Sequence, residues 1–539
     1  MYFVLTEEGR PPQHFQLIRL TNEGQGILGF HGAVNQKVAL DGAIKLHEKA
    51  DGLIVDLRVE NAQEEMKARV SVGLQLYGEA EPRWLVPGFL YGDNRPKGCT
   101  RVFPGFGEMS RDLRRMTAAH WSIRSDRAAT PVVCGWTFGC FAYMGTDPAF
   151  GRTRDLPRGL GIPGLSFGVE EHHPMLGVDF PYKETPLKFS FCHEDKTEQE
   201  ETFAQLPEKT PLTGTVYVGL GAPELHAYAR IVRGLYQIQN NNNQTKPRMT
   251  PEVAEHLAHT GLLRWHYDAR QSAIYETATF DRQFGRKGTN QDRTHMHAGW
   301  NSGALPAYVL LWAGRETQHP DSITAGTAVF NKITSALSPA GTIFPVWTED
   351  NGWSCSFGPE DGTAHSRTVG EAVLFILRAL ALEIRYNANH PGWYEAALSS
   401  LNYAMGAQRE DGAFPVYFDL STGRQVTFEG TGGITWLAAI AVGAMLFQKP
   451  HFREVAIRAG EYYMKMVRGG LLSGTVEDQP MVPTCDDCHW ALVAFLMLYE
   501  MDRDPRWLQT ARQAADLALS WRFSYNSTFL PDSMLGRYD

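Results

Sequence analysis

The sequence predicts a multidomain β + α protein, in which an N-terminal antiparallel β-sandwich over residues 1–215 is followed by a helical toroid over residues 216–539. Short apolar runs with partial alternation, separated by Gly, Pro and Asp, fill the first part, and this pattern is typical of antiparallel strands. Helix-length segments fill the second part. Apolar helices alternate there with amphipathic ones, which indicates stacked helical pairs.

The β-rich part contains three clear strand signals and one long interruption. Residues 52–59 and 70–77 each predict a strand, and residues 130–143 predict a buried pair of strands. Residues 82–115 predict an irregular insert, and an insert of this length is usually functional or disordered. It carries Tyr91 and Arg95, which we expect to line a substrate pocket.

The helical part has a repeated start signal. Pro320, Pro391, Pro450 and Pro505 each follow a polar residue and open an amphipathic segment, and proline suits the first turn of a helix. The periodicity predicts ten helices, at 223–239, 251–265, 300–316, 321–337, 366–386, 392–408, 431–447, 451–468, 487–501 and 506–522. These make five pairs. A six-pair ring needs one more pair, so either a pair is unrecognised or the toroid is incomplete at its C-terminus.

Composition restricts the function classes. The net charge of −9 and the absence of a basic tract argue against nucleic-acid binding. Residues 430–447 are uncharged, but their glycines and their place in the repeat favour a buried core helix over a membrane span. No secretory signal opens the chain, which predicts a cytoplasmic protein if the N-terminus is native, and a periplasmic or secreted one if a signal was removed. Association into a homo-oligomer is compatible with the sequence.

The seven cysteines do not resemble a disulfide framework. Cys485 and Cys488 form a lone CxxC without a second ligand pair, so we expect small residues at the start of a helix and no metal site there. The spacing of His295 and His297 is also not the i, i+4 spacing of a helical zinc pair. We therefore expect no bound metal and no cofactor.

Acidic residues concentrate in the loops that lead into the apolar helices, and these loops gather at one mouth of a toroid. Glycosidic cleavage needs one protonated carboxyl group that donates to the leaving oxygen and a second, ionised one. The predicted catalytic residues are Glu429, Glu477, Asp350 and Asp361. Asp486 and Asp487 also have a plain interpretation as helix caps, and Glu371 as a residue interacting with a helix dipole.

Basic and aromatic residues accompany these acids. Arginine pairs well with carboxylates, and flat rings stack on sugars, so the set favours an acidic sugar such as a uronate within an oligosaccharide or polysaccharide. The predicted substrate-binding residues at the mouth are His295, His297, Arg293, His365, Arg367, Trp347, Trp353 and Trp436.

The order of the two parts and the alternating helices resemble two-domain glycoside hydrolases with an N-terminal β-sandwich and a C-terminal (α/α)6 barrel. Within that class the chain looks most like the bacterial β-glucuronidase-like branch that acts on uronic acids. The resemblance covers nearly the whole chain through architecture and not through a sharp motif. It implies a retaining or inverting carboxylate pair on the barrel rim, with sandwich loops completing the pocket.

Other functions remain open on the sequence alone. A polysaccharide lyase would use His297 or Tyr267 as the base, and Asn301 or Arg293 to neutralise the uronate. A terpene-cyclase-like toroid is a weaker alternative, because the chain lacks the Asp-x-Asp-Asp signature of those proteins. A non-catalytic glycan-binding protein would require that the acids at the mouth do not converge.

Overall fold

The computed structural model describes residues 1–34, 38–62, 65–76, 82–92, 94, 102–105, 115–137, 139–148, 161–186, 200–239, 249–278, 295–356, 358–477 and 481–525. These residues form two compact units. Residues 1–245 and 519–539 belong to the first, and residues 246–518 to the second. The chain therefore leaves the first unit once and returns to it. The division into separate domains at residue 215 stays a prediction.

Two antiparallel sheets build the first unit. The strands of the seven-stranded sheet are β1 (Tyr2–Glu7), β2 (Gln13–His14), β7 (Met66–Gln75), β12 (His120–Arg124), β15 (Gly164–Glu170), β16 (His173–Phe180) and β19 (Ala204–Leu206). Their order is β12-β15-β16-β7-β1-β2, with β19 also paired to β7.

The strands of the nine-stranded sheet are β3 (Gln16–Gly24), β4 (Ile27–Ala33), β5 (Val38–His47), β6 (Gly52–Asn61), β8 (Arg83–Val86), β9 (Leu90–Tyr91), β13 (Val132–Trp136), β14 (Phe141–Thr146) and β20 (Leu212–Gly221). Their order is β3-β4-β5-β6-β20-β14-β13-β8-β9. Alternate residues of both sheets enter a single hydrophobic cluster, for example Val70 and Val72 of β7 with Val55 and Leu57 of β6. One face of each sheet is thus buried against the same core.

The predicted strands at 52–59 and 130–143 are confirmed, the second as the hairpin β13–β14. The prediction of an irregular insert is wrong at its start. Trp84, Leu85 and Val86 are buried, and β8 pairs with β13, so residues 83–91 extend the sheet as a hairpin. The burial of these apolar side chains stabilises the strands more than the low strand propensity of the neighbouring glycines and prolines destabilises them. Arg95 lies outside the described residues.

Short strands complete the β-structure. β10 (Val102–Gly105) pairs in parallel with β11 (Arg115–Thr117), and β17 (Lys183–Glu184) pairs with β18 (Glu200–Glu201). In the second unit, β21 (Tyr267–Asp268) pairs with β22 (Ala273–Ile274). Two three-stranded sheets lie between helices there, formed by β23 (His295–His297), β24 (Val346–Thr348) and β25 (Gly352–Ser354), and by β26 (Thr363–His365), β27 (Tyr417–Asp419) and β28 (Gln425–Thr427).

All ten predicted helices are confirmed, with ends that differ by a few residues. They are α1 (Tyr228–Gln239), α2 (Pro251–Gly261), α3 (Ala304–Thr317), α4 (Pro320–Thr334), α5 (Ser366–Arg385), α6 (Pro391–Ala407), α7 (Ile434–Phe447), α8 (Pro450–Arg468), α9 (Cys485–Asp502) and α10 (Pro505–Ser520). Helix α2 continues into a π-helical turn at Leu262–His266. The four outer helices begin at the predicted prolines, because a proline at this position has no N–H to leave unpaired.

The helices of the second unit pack in consecutive pairs. Helices α3, α5, α7 and α9 neighbour one another in that order, and α4, α6 and α8 pack outside them. Helix α7 is buried from its first residue to Ala444, as an inner helix requires. Helix α1 belongs to the first unit, where a Cβ at Gly234 would meet the backbone oxygen of Lys49. The first of the five predicted pairs is therefore divided, with α1 in the first unit and α2 in the second. The other four pairs, α3 to α10, belong to the second unit.

Within the described ranges, none of the helices combines the length and the apolar character needed to cross a bilayer.

Candidate active site

The N-terminal ends of the inner helices are held by the two small sheets. Strand β23 leads towards α3 and pairs with β24, which follows the outer helix α4. Strand β26 leads directly into α5 and pairs with β27, which follows α6. Residues on β23, on β26 and in the first turns of α5 and α9 are therefore brought together at one end of the helix pairs.

Arg367 lies at the centre of this end. It is 5% exposed in the first turn of α5, and its guanidinium contacts two carboxylates. Its Nη1 lies 3.3 Å from Oε2 of Glu371, one turn further along α5, and its Nη2 donates to Oδ2 of Asp486 at 3.0 Å. Glu371 is 2% exposed, whereas the Asp486 side chain is 29% exposed. One arginine thus joins a buried carboxyl group to an accessible one.

Glu371 has the electrostatics of an acid that can hold a proton near neutral pH. Burial raises the pKa of its carboxyl group to about 7, and the negative charge of Asp486 adds to this rise. The charge of Arg367 and a hydrogen bond from the backbone of Trp300 oppose the rise without cancelling it. Two carboxyl groups with such different surroundings are suited to different roles in proton transfer.

Two indole rings flank the arginine. The guanidinium carbon of Arg367 lies 5.2 Å from the ring centre of Trp300 and 5.8 Å from that of Trp490. Trp300 has a φ of 65°, a left-handed conformation that is unusual for a bulky residue. The tight turn has no room for side chains beside it, because a Cβ at Gly299 would lie 2.3 Å from the carbonyl oxygen of Thr368 and 3.2 Å from Cβ of Glu371. The strained backbone therefore fixes the Trp300 ring against Arg367.

A second titratable group adjoins Trp300. The ring of His297 lies 5.3 Å from the Trp300 ring and 4.9 Å from that of His295. Nε2 of His295 contacts Oε2 of Glu276 at 2.8 Å. One potential ligand atom from each of Glu276, His295 and His297 lies within 4.8 Å of the others, so these three side chains could hold a metal ion.

His365 ends β26 and is fully buried. Its ring stacks on that of Tyr417 at 4.8 Å, and Tyr417 donates its hydroxyl to the backbone oxygen of Glu477 at 3.0 Å. Burial lowers the pKa of His365 to about 3, and the charge of Arg367 acts in the same direction. His365 is therefore a neutral ring at physiological pH and adds no positive charge for an acidic sugar.

Asp487 is confirmed as a helix cap. It forms a capping box with Thr484 at the start of α9 and is also the acceptor for the hydroxyls of Thr431 and Thr475, at 2.7 and 2.6 Å. The glycines near Glu429 serve the same packing, because a Cβ at Gly474 would lie 2.9 Å from Cα of Gly430. The close approach expected between this loop and a ligand is thus made to the 473–474 backbone.

The structure places the predicted site residues at several locations. Glu429, Asp350 and Asp361 are exposed, and Glu477 is buried at 3% exposure. Arg367 and His297 share the neighbourhood of Trp300, whereas Trp436 is buried inside α7. The remaining predicted aromatic residues contact other side chains. Trp347 packs against Lys332, Trp353 stacks on Phe344, and Tyr91 of the first unit stacks on Trp521. Arg293 lies outside the described residues.

Sequence reasoning missed Glu371, Asp486, Trp300, Trp490 and Glu276 as site residues. Glu371 had one usable signal, because Arg367 and Glu371 form an i, i+4 charged pair in the first turns of a helix whose next six residues are apolar. A charged pair on a buried helix needs a reason beyond solubility.

The first unit also contains a large cavity, whose charged residues differ from the Arg367 cluster because they are paired within the β-structure. It has a volume of about 770 Å³ and lies on the seven-stranded sheet beside Arg69, His120 and Asp179. Asp179 accepts hydrogen bonds from Ser71 and Ser166, and Arg69 contacts Glu201. These charged groups contact residues of the β-structure, so the cluster around Arg367 is the stronger candidate for an active site.

No known family model and no curated protein sequence matches this chain. The solved structures that resemble it include three with TM-scores below 0.4. An unsaturated glucuronyl hydrolase from a Bacillus species is 14% identical over 45% of this chain, with a TM-score of 0.30. A cellobiose 2-epimerase from Bacillus thermoamylovorans is 12% identical over 54% of this chain and 73% of its own, with a TM-score of 0.38. A polysaccharide lyase is 10% identical over 96% of this chain and 75% of its own, with a TM-score of 0.36. The match spans 65% of the glucuronyl hydrolase. These similarities are too low to transfer an activity.

Proposed function

We propose that this protein is a carbohydrate-active enzyme that hydrolyses a glycosidic bond next to a uronic acid, with Glu371 as proton donor and Asp486 as the second carboxylate. The observation that carries the proposal is the pair itself. Glu371 is buried and has its pKa raised to about 7, while Asp486 is part-exposed, and both contact one guanidinium. Glycosidases use such a division between a protonated and an ionised carboxyl group.

In the proposed reaction, Glu371 gives its proton to the oxygen of the leaving sugar. Asp486 then either attacks the anomeric carbon or removes a proton from the attacking water. Arg367 holds both carboxyl groups and supplies positive charge beside a uronate. The part-exposed indole of Trp300 offers a flat apolar face against which a sugar ring packs, and the buried indole of Trp490 supports the Arg367 guanidinium from within the helix pairs. The part-exposed Asp486 marks the side from which substrate reaches the pair.

The fold proposed for this activity is a β-sandwich, made of the two sheets that share a core, followed by a helical toroid. Glu429, Glu477, Asp350 and Asp361 stay predicted catalytic residues. Glu477 is the best placed of them, because its backbone is tied to Tyr417 beside His365.

The test compares two glutamates on helix α5. Glu371→Gln removes the proposed proton donor, and we expect turnover of uronic-acid-containing oligosaccharides and aryl β-glucuronides to fall by a factor of about 100 or more. Glu383→Gln is the matched control, because Glu383 is also buried and paired with an arginine, Arg315, at 2.6 Å. It should keep most of the activity. Equal turnover in Glu371→Gln and wild type would contradict the proposal.

A second candidate function is β-elimination by a polysaccharide lyase. The observation that favours it is the position of His297 beside Trp300 and next to the His295–Glu276 pair, since an imidazole there can act as base while Arg367 neutralises the uronate. Ultraviolet absorbance of an unsaturated uronate distinguishes the two. New absorbance that disappears in His297→Ala supports elimination, and reducing ends without absorbance support hydrolysis.

A further inference from the structure

Glu276, His295 and His297 converge from two separate segments of the second unit. His295 and His297 are the outer residues of strand β23, whose register pairs them with Thr348 and Val346 of β24. Side chains two apart on a strand point to the same face, so both imidazoles project from one side of the sheet. The i, i+2 spacing, which is unsuitable for a metal pair on a helix, is suitable on this strand.

The carboxylate is brought to the histidines by a backbone contact. The amide of Glu276 donates to the carbonyl oxygen of His295 at 3.3 Å, and Tyr275 in turn is tied to His266. The Glu276 side chain thereby reaches Nε2 of His295 at 2.8 Å. The position is sheltered, because the side chains of His295 and Glu276 are 12% and 17% exposed.

The base of the group is rigid. The backbone of His297 is held in place, because its amide donates a hydrogen bond to the hydroxyl of the fully buried Ser302 at 3.0 Å. A Cβ at Gly303 would lie 2.1 Å from the carbonyl oxygen of His297, so the chain turns back tightly against the strand. His297 itself is 2% exposed. Preorganised side chains on a strand are what a metal site needs.

We propose that Glu276, His295 and His297 bind a divalent transition-metal ion of the zinc class. One ligand atom of each lies within 4.8 Å of the others. Ligands about 2.0–2.2 Å from a common ion stand no more than about 4.4 Å apart, so small side-chain rotations are enough to bring the three atoms into coordination distance. Two imidazoles favour zinc and its neighbours over calcium and magnesium, which prefer oxygen ligands. Three protein ligands leave a tetrahedral ion one open position. This inference departs from the sequence-based expectation of no metal, and it does not depend on the proposed hydrolysis.

The test measures metal binding on the full chain after treatment with a chelator. Wild-type protein should take up one equivalent of Co²⁺ with visible ligand-field absorption, and Zn²⁺ should displace it. His295→Gln should weaken binding by more than about 100-fold, because even outer partners of metal ligands cost about 10–100-fold when they are replaced. Uptake by wild-type protein that does not exceed that of His295→Gln would overturn the proposal.

A matched control separates the metal site from an ordinary histidine–carboxylate pair. His390 contacts Glu383 at 2.9 Å, nearly the distance of His295 from Glu276, but it belongs to an arginine-paired cluster. His390→Gln should leave metal uptake unchanged, and an equal loss in both variants would overturn the proposal.

X-ray absorption on the zinc-loaded wild-type protein tests the ligand assignment without any variant, so its result does not depend on whether His295→Gln folds. It should report nitrogen and oxygen ligands at about 2.0–2.2 Å. A sulfur shell at about 2.3 Å would assign the ion to Cys485 and Cys488 instead and overturn the proposal. Because every readout is binding or spectroscopy, failure here is distinct from failure of the proposed hydrolysis, which is measured by turnover.

Discussion

At the scale of single residues, helix α5 carries two buried glutamates whose environments act in opposite directions. Burial raises the pKa of Glu371, and its contact with Arg367 does not offset this. Burial also acts to raise the pKa of Glu383, but hydrogen bonds from Arg315 and His390 lower it overall. The two pKa values differ because of the number and geometry of the hydrogen-bond donors. Arg315 donates two hydrogen bonds to Glu383, from Nε at 2.7 Å and from Nη2 at 2.6 Å.

The raised pKa of Glu371 predicts a pH-dependent stability. Above its unfolded pKa of about 4.5, the unfolded carboxyl group releases a proton that the folded one retains up to a pH of about 7. The contribution to the free energy of unfolding is therefore present at low pH and falls by about 3 kcal/mol as pH rises from about 4.5 to 7. We expect the stability difference between wild type and Glu371→Gln to decrease over this range, as measured by denaturant unfolding at several pH values.

Glu383→Gln should show the opposite trend. Because the pKa of Glu383 is lowered, its contribution is present above the unfolded pKa and is lost as pH falls through the folded value. A flat profile for the Glu371→Gln difference between about pH 4.5 and 7 would show that Glu371 is ionised at neutral pH and unsuited to donate a proton.

The residues of the candidate site were only partly predictable. Arg367, His295 and His297 were found because they stand in polar loops before inner helices, which is also where the structure groups them. The sequence predicts only a helix-dipole role for Glu371, because the turn at Gly299 and Trp300 that packs against it comes from another loop. Linear spacing carries no information about that approach.

At the scale of secondary-structure elements, the start of α9 connects three loops. Asp487 accepts from Thr484, Thr431 and Thr475, so one carboxylate fixes the helix cap and the two loops that pack on it. Burial raises the pKa of Asp487, while the threonine hydrogen bonds oppose that rise. The position of Asp486, one residue earlier, follows from this anchoring.

Removing the cap hydroxyl of α9 should cost more than removing an isolated one. Thr484→Ala loses the N-cap bond and leaves Asp487 short of one donor in a buried site, so we expect destabilisation of about 2–3 kcal/mol. Thr250→Ala removes the N-cap of α2, whose residues are not buried, and should cost about 1 kcal/mol. Thermal unfolding of both variants checks the ranking, and an equal cost would mean that the Asp487 network adds nothing.

The elements themselves were the most predictable level. Apolar periodicity and the four start prolines located all ten helices, because these local signals are strong in long segments. The hairpin at 83–91 was missed because its strands are short, at four and two residues, and their burial comes from pairing with β13. Such pairing is a tertiary effect that local composition does not encode.

At the scale of the whole molecule, the chain returns to its first unit after the helix pairs. Residues 519–525 pack there through Trp521, whose ring stacks on Tyr91 at 4.0 Å and an interplanar angle of 9°. The amide of Ser524 donates to Ala129, and the hydroxyl of Tyr525 donates to Ala128. A sequence pattern assigns these residues to the last helix and its tail, because nothing local marks a return over more than 400 positions.

This return makes the segment that follows the last helix a structural part of the first unit, and Trp521→Ala tests it. Loss of the stacked indole should destabilise the first unit by about 2 kcal/mol and increase hydrogen exchange around Leu90–Tyr91, since Tyr91 is 1% exposed and bonds to Ser520. Phe523→Ala removes a ring that is 50% exposed and should change stability by less than about 0.5 kcal/mol. Unchanged exchange at β9 in Trp521→Ala would mean that the C-terminal segment only rests on the sheet. Faster exchange confined to that unit would show that the helix pairs are an insertion between two parts of one β-structure.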